Sequence, residues 1–186
     1  AGNRGLMIET PEKLSQVIKR AADCGVQVAT HAIGDRANRV ALDAFAALGA
    51  EQRQRLRPRI EHSQVVDLAD IPRFAELGVI ASMQPTHATS DMPWAQARVG
   101  MERLRGAYAW RRLLPDQRLT LAEALDGFTR GAAFAGHAET EIGTLEVGKR
   151  ADFTVLSMDP HAVRGRALLA IKVKSTWVDG RKVWPL

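Results

Sequence analysis

The chain has a single cysteine, Cys24, among 186 residues. No internal disulfide is possible, and no cysteine-based zinc motif exists. Cys24 stands just before Gly25 at the end of an expected helix, and there it reads as small core filler. Aromatic residues make up only 5% of the chain, a poor supply of stacking surfaces for nucleic acid bases. No apolar run approaches the ~18 residues of a membrane span. No basic-then-apolar signal segment opens the sequence, so a soluble, cytoplasmic setting is the expectation. Acids fall short of bases, leaving a net charge of +5. That sign suits nucleic acid. The arginines, however, are scattered beside acids along amphipathic stretches, which describes a solvated basic surface better. The expected partner is a small-molecule substrate, with neither nucleic acid nor membrane.

What is present is ordinary globular material: 46% apolar and 25% charged residues, in a chain long enough to bury a sizeable core. Its organising stretch is Val26-Gln27-Val28-Ala29-Thr30-His31-Ala32-Ile33-Gly34-Asp35-Arg36-Ala37-Asn38. A short apolar run ends in a histidine and turns through glycine into a helix. The pattern returns at Pro58-Arg59-Ile60-Glu61-His62 and at Val79 through His87. The histidines are 31 and then 25 positions apart, close to one strand-plus-helix unit each. Parallel neighbouring strands would gather all three at the carboxyl end of one sheet, where α/β folds place their chemistry.

In order, Thr10-Pro11-Glu12 opens a helix, with Thr10 as its cap and Pro11 in the first turn. Leu14, Val17, Ile18, Ala21 and Ala22 follow at helical spacing. A second helix carries Val40, Ala41, Ala44, Phe45 and Leu48 and stops at Gly49. Glu51 to Arg57 reads as a solvated loop or helix end. Asp70 caps a third helix, which Gly78 ends. Helix and strand alternate three times, which implies parallel strands. Thr86 to Trp94 reads as a polar active-site loop, and Val99 to Leu114 as a helix. A capping box at Thr120 and Glu123 then starts another helix with no strand between. From Glu141 the style changes. Strands are expected at Ala151 to Leu156, Ile171 to Val178 and Arg181 to Trp184, the last two joined by an Asp179-Gly180 turn. The domain reading is 1–140 and 141–186.

These residues are similar to the metal-dependent amidohydrolase superfamily. The segments His31-Ala32-Ile33-Gly34-Asp35-Arg36-Ala37, Ile60-Glu61-His62 and Gly78 through His87 resemble its amidohydrolase-3, or YtcJ-like, group. Gly143-Thr144-Leu145, Gly148-Lys149, Ala151-Asp152-Phe153 and Val178-Asp179-Gly180-Arg181 resemble the entry and closing hairpin of its small β-sandwich. The resemblance implies an α/β fold. This chain would be part of a (β/α)8 TIM-type barrel, roughly strands five to seven with flanking helices, followed by part of that sandwich. It implies one or two divalent metals, usually zinc, and hydrolysis of a carbon–nitrogen bond of amide type by metal-activated water. By position, His31 and His62 match metal ligands, and His87 a substrate contact, with a loop hydrogen-bonder as its plain alternative. The family's His-x-His pair and bridging carboxylated lysine have no counterpart here, nor does its strand-eight aspartate. A segment of roughly forty residues, the size of one βα unit, is inferred to be missing around Leu113 to Pro115.

Two functional readings stand. In one, the chain is a fragment of such a hydrolase. In the other it is a truncated, catalytically inactive relative that self-associates through exposed partial-barrel edges. Asp35 and Arg36 read as a structural ion pair beside the site and Glu61 as structural. His137 reads as a helix end and His161 as solvated. Trp94, Trp110, Trp177 and Trp184 read as packing groups.

Overall fold

A computed structural model describes residues 5–109 and 120–185. Trp110 and the expected break around Leu113 to Pro115 lie outside the described residues. The chain divides into two compact units, Ala1–Arg118 and Leu119–Leu186. The boundary expected at 140 falls inside the second.

The first unit is α/β. Helix α1 (Pro11–Asp23) starts where Thr10 Oγ1 accepts the Lys13 N–H at 3.2 Å. Strand β1 (Ala29–Ala32) follows, then α2 (Asp35–Ala46) and α3 (Ala50–Leu56). After these come β2 (Arg59–His62), α4 (Ile71–Leu77) and β3 (Ile80–Ser82). The three strands form one parallel sheet in the order β1-β2-β3. Ile18, Leu42, Phe45, Ile60 and Val66 lock the helices to the sheet and are fully buried. Burial of side chains of that size contributes about 1.5–3 kcal/mol each.

Several local expectations are corrected. The run expected as a solvated loop or helix end at Glu51 to Arg57 is mostly a helix of its own, α3, with Gly49 as its N-cap; α2 has already ended at Ala46. Asp70 precedes α4 but makes no capping bond with its side chain, which is taken up by arginines instead. Cys24 is exposed rather than core, because it forms the C-cap of α1 at the surface. The polar loop of Thr86 to Trp94 holds a short helix α5 (His87–Ser90) and the start of α6 (Met92–Leu104). Helix α6 is broken at Gly100, whose φ is 79°, so the helix expected from Val99 is interrupted and ends early.

In the second unit the capping box at Thr120 and Glu123 is formed, opening α7 (Leu121–Phe128), which α8 (Arg130–Ala135) follows. Strands β4 (Phe153–Leu156), β5 (Val173–Val178) and β6 (Arg181–Trp184) make an antiparallel sheet. Asp179 and Gly180 turn between β5 and β6 with φ of 52° and 71°, the signature of a type I′ turn. Trp177 packs face to face on Phe153, with ring centres 5.6 Å apart. Trp184, in contrast, is half exposed.

Candidate active site

His31 lies in β1 and His62 ends β2, so the parallel pairing carries both to the carboxyl edge of the sheet. His87 opens α5, five residues past β3. The structure brings all three together. The rings of His31 and His62 meet edge-on with centres 4.8 Å apart, and those of His62 and His87 at 5.6 Å.

Strand alternation alone would not allow the first of these contacts. In the ladder, His31 pairs with Glu61, and Ala32 pairs with His62. Paired residues share a face and successive residues alternate. A regular β2 would therefore put His62 on the core face with Ile60 and Ala32, away from His31. The backbone breaks that rule. His62 has a φ of 76° and Ser63 one of 44°, both in the left-handed region that costs L-residues about 1–2 kcal/mol. This double turn breaks the alternation at the strand end, where the two rings meet. Nδ1 of His62 is left buried with no hydrogen-bond partner, a condition that native structures rarely leave without a reason.

The loop after β2 is held from two sides. Asn38 is fully buried, and its amide donates to the carbonyls of Gly34 (2.9 Å) and Val65 (3.1 Å), tying α2 to that loop. On the other side, Tyr108 N–H donates to the Gln64 carbonyl at 2.7 Å, and Val66 N–H to Gly106 at 3.0 Å. Gln64 in turn donates through Nε2 to Asp91 and to the Tyr108 hydroxyl, the latter at 3.2 Å. Asp91 also accepts from the Ser90 hydroxyl at 2.8 Å and lies 3.5 Å from Nδ1 of His87. Burial pushes the Asp91 carboxyl up; the Ser90 and Gln64 hydrogen bonds and the His87 ring outweigh it and hold it below the usual aspartate value.

Glu61 takes a structural role. Its carboxylate accepts from Arg59 Nε and from the Ser82 hydroxyl, each at 2.6 Å. Burial pushes it up, and those two bonds with the Arg59 charge bring it below the usual glutamate value. The expected Asp35–Arg36 ion pair is corrected: the Asp35 carboxylate pairs with Arg103 at 3.2 Å and accepts only the backbone N–H of Arg36. Residue 103 is distant in sequence, so spacing gave no sign of it. His137 and His161 belong to the second unit; His161 lies 3.1 Å from Asp159. Sequence reasoning passed over Gln64, Asn38 and Tyr108. Only the nearness of Gln64 to His62 and of Asn38 to the Gly34 turn could have drawn attention to them.

An open cleft of about 700 Å³ runs beside β1. Its walls include Leu6, Ile8, Val17 and His31, but neither His62 nor His87. Among the described residues β1 has one strand neighbour only.

The model of the amidohydrolase family (Amidohydro_3) matches residues 2–115 and again 112–184. The chain belongs to the amidohydrolase family. Protein LONG AFTER FAR-RED 3 of Arabidopsis thaliana is 30% identical over 224 aligned positions, covering 98% of this chain and 38% of that protein. YtcJ of Bacillus subtilis (strain 168) is 28% identical, covering 97% of this chain and 41% of its own length. The chain thus spans about two fifths of the length of these curated relatives. An alignment of 224 positions exceeds the 186 residues available, so the plant protein has positions with no counterpart here. Among solved structures, a metal-dependent hydrolase from Pyrococcus furiosus superposes with a TM-score of 0.68 at 33% identity, over 80% of this chain and 37% of that one.

The donor chemistry of the histidine pair suits part of a metal centre. Neutral imidazole is a good ligand for zinc, and His31 and His62 present two rings side by side, one with an unpartnered buried nitrogen. A catalytic zinc takes about three protein ligands. Among the described residues no group of three or more His, Cys, Asp or Glu side chains is arranged to hold a metal ion. No helix among the described residues is long and apolar enough to cross a membrane.

Proposed function

We propose that this chain is the later portion of a metal-dependent hydrolase that cleaves carbon–nitrogen bonds of amide type in small molecules. In this reading β1, β2 and β3 are strands five to seven of a (β/α)8 barrel, and β4 to β6 are part of a small β-sandwich. His31 and His62 hold the metal, with zinc the expected ion, and His87 faces substrate. The observation that carries the reading is the edge-on His31–His62 pair at the carboxyl end of adjacent parallel strands. Family membership and the Pyrococcus furiosus metal-dependent hydrolase support it.

Divalent zinc, when bound, supplies the Lewis acidity that makes hydroxide available at neutral pH. The chain's own residues fix where it is used. The left-handed turn at His62 and Ser63 orients one ring, β1 supplies the other, and Asn38 and Gln64 keep the loop beneath them from shifting. The remaining ligands and the proton acceptor that such hydrolysis needs come from outside the described residues.

The test is elemental analysis of the purified chain and of the complete protein, with and without the paired change His31→Ala and His62→Ala. The expected result is bound metal that the double variant loses. A complete protein that hydrolyses amides unchanged without both histidines would refute the assignment.

A second reading is favoured by one observation. Leu6, Ile8, Val17 and Ile33 are exposed along the cleft beside β1, which has one strand neighbour only among the described residues, and unpaired edges with apolar surroundings invite association. In this reading the chain by itself is inactive and self-associates. Sedimentation that stays monomeric over a wide concentration range would eliminate it.

A further inference from the structure

We propose that Asp91 is a positioning residue that fixes the tautomer of His87, holding the proton on Nδ1 so that Nε2 is presented as a hydrogen-bond acceptor. The argument is geometric. Oδ2 of Asp91 lies 3.5 Å from Nδ1 of His87, one helical turn away on the same face. A carboxylate in its charged form only accepts, and a neutral imidazole carries one N–H. The pair is a charge contact, and the negative charge beside Nδ1 favours the N–H there, which leaves the lone pair on Nε2.

The carboxylate cannot drift from this post. Oδ1 is held by the Ser90 hydroxyl at 2.8 Å and Oδ2 by the Gln64 amide. Gln64 places its other amide N–H on the Tyr108 hydroxyl at 3.2 Å, and its own carbonyl is fixed by Tyr108 N–H at 2.7 Å. Ser90 and Gln64, 27 residues away, thus hold the carboxylate, and Tyr108 holds Gln64. The ring they orient is half-buried and stands edge-on to His62, with centres 5.6 Å apart. A ring in this tautomer selects for ligand groups that donate, N–H or O–H, and against a carbonyl oxygen. For the amide-type substrate of the previous section, on which this last step rests, the group it receives is an N–H.

The experiment is long-range 1H–15N correlation of the histidine rings in the 15N-labelled chain, with His87→Gln for assignment. It is done at pH 8, above the ordinary imidazole pKa of about 6.5, with a chelator present. The expected wild-type result is a proton on Nδ1 of His87. Asp91→Ala is expected to move it to Nε2, the form favoured by free imidazole side chains, and Asp91→Glu to restore Nδ1–H. A wild-type ring protonated at Nε2 overturns the proposal, as does an unchanged ring in a folded Asp91→Ala variant. If Asp91→Ala does not fold, the wild-type spectrum decides alone. Neither metal nor substrate enters the measurement. A chain that binds no metal would defeat the hydrolase reading and leave the tautomer intact, while the reverse result would defeat only the role of Asp91.

Discussion

Gly106 sits so close to the carbonyl of Val66 that a methyl group on its α-carbon would lie 1.7 Å from that oxygen. The two residues also share a backbone hydrogen bond of 3.0 Å. This contact seats the 106–108 segment against the loop that follows His62.

Gly106→Ala is therefore expected to force the two segments apart. Overpacking of this kind costs about 1–3 kcal/mol, and the Tyr108–Gln64 and Val66–Gly106 bonds are strained with it. The urea midpoint of the first unit should fall accordingly. A midpoint equal to wild type would mean that the approach is looser than described.

Asp70 is 3% exposed and accepts from Arg39 at 2.8 Å and from Arg73 at 2.9 Å. Arg73 reaches on to Asp43 at 2.6 Å, so the group links α2 to α4. Asp70→Ala leaves two guanidinium groups without their buried partner. Arg39 is about half exposed, which tempers the loss, and about 2–3 kcal/mol is expected. Chemical denaturation measures it, and a change under about 0.5 kcal/mol would show the network to be ornamental.

Glu61 titrates lower in the fold than in the unfolded chain, where about 4.3 applies. The unfolded state then binds more protons at acid pH, so stability rises with pH. The contribution is complete above the unfolded value and disappears as pH falls through the lower folded value. Glu61→Gln should be less stable than wild type at pH 7, and the gap should close on the way to pH 3. Parallel pH profiles of the two proteins would dismiss the idea.

His62→Gly separates fold from chemistry. Glycine accepts a positive φ freely, so relief of strain offsets the lost packing, and stability is expected within about 1 kcal/mol of wild type. Metal uptake, where the complete protein shows it, should be lost. Collapse of the fold in this variant would mean that the ring is needed as structure.

Much of this was legible in advance because it is local. Thr10 with Pro11, Thr120 with Glu123, and Asp179 with Gly180 carry their geometry within four residues, and each formed as the sequence implied. The helix–strand alternation led to the parallel sheet, and the three histidines came together at its edge. What escaped notice joins distant positions. Gln64 meets Asp91 across 27 residues and Tyr108 across 44, and no periodicity encodes such pairs. Asp35 chose Arg103 over its neighbour because adjacent side chains on a helix point apart. Cys24 faces solvent because the end of an amphipathic helix can face either way, and packing alone decides.

The left-handed pair at His62 and Ser63 has a bearing on engineering. The meeting of the two rings is recorded in backbone torsions, not in the identity of the strand residues. Grafting His31 and His62 onto another parallel sheet in the same register would set the rings on opposite faces. A working transplant would have to carry the kink and its clamp, Asn38 on one side and Gly106 with Tyr108 on the other, as a single cassette.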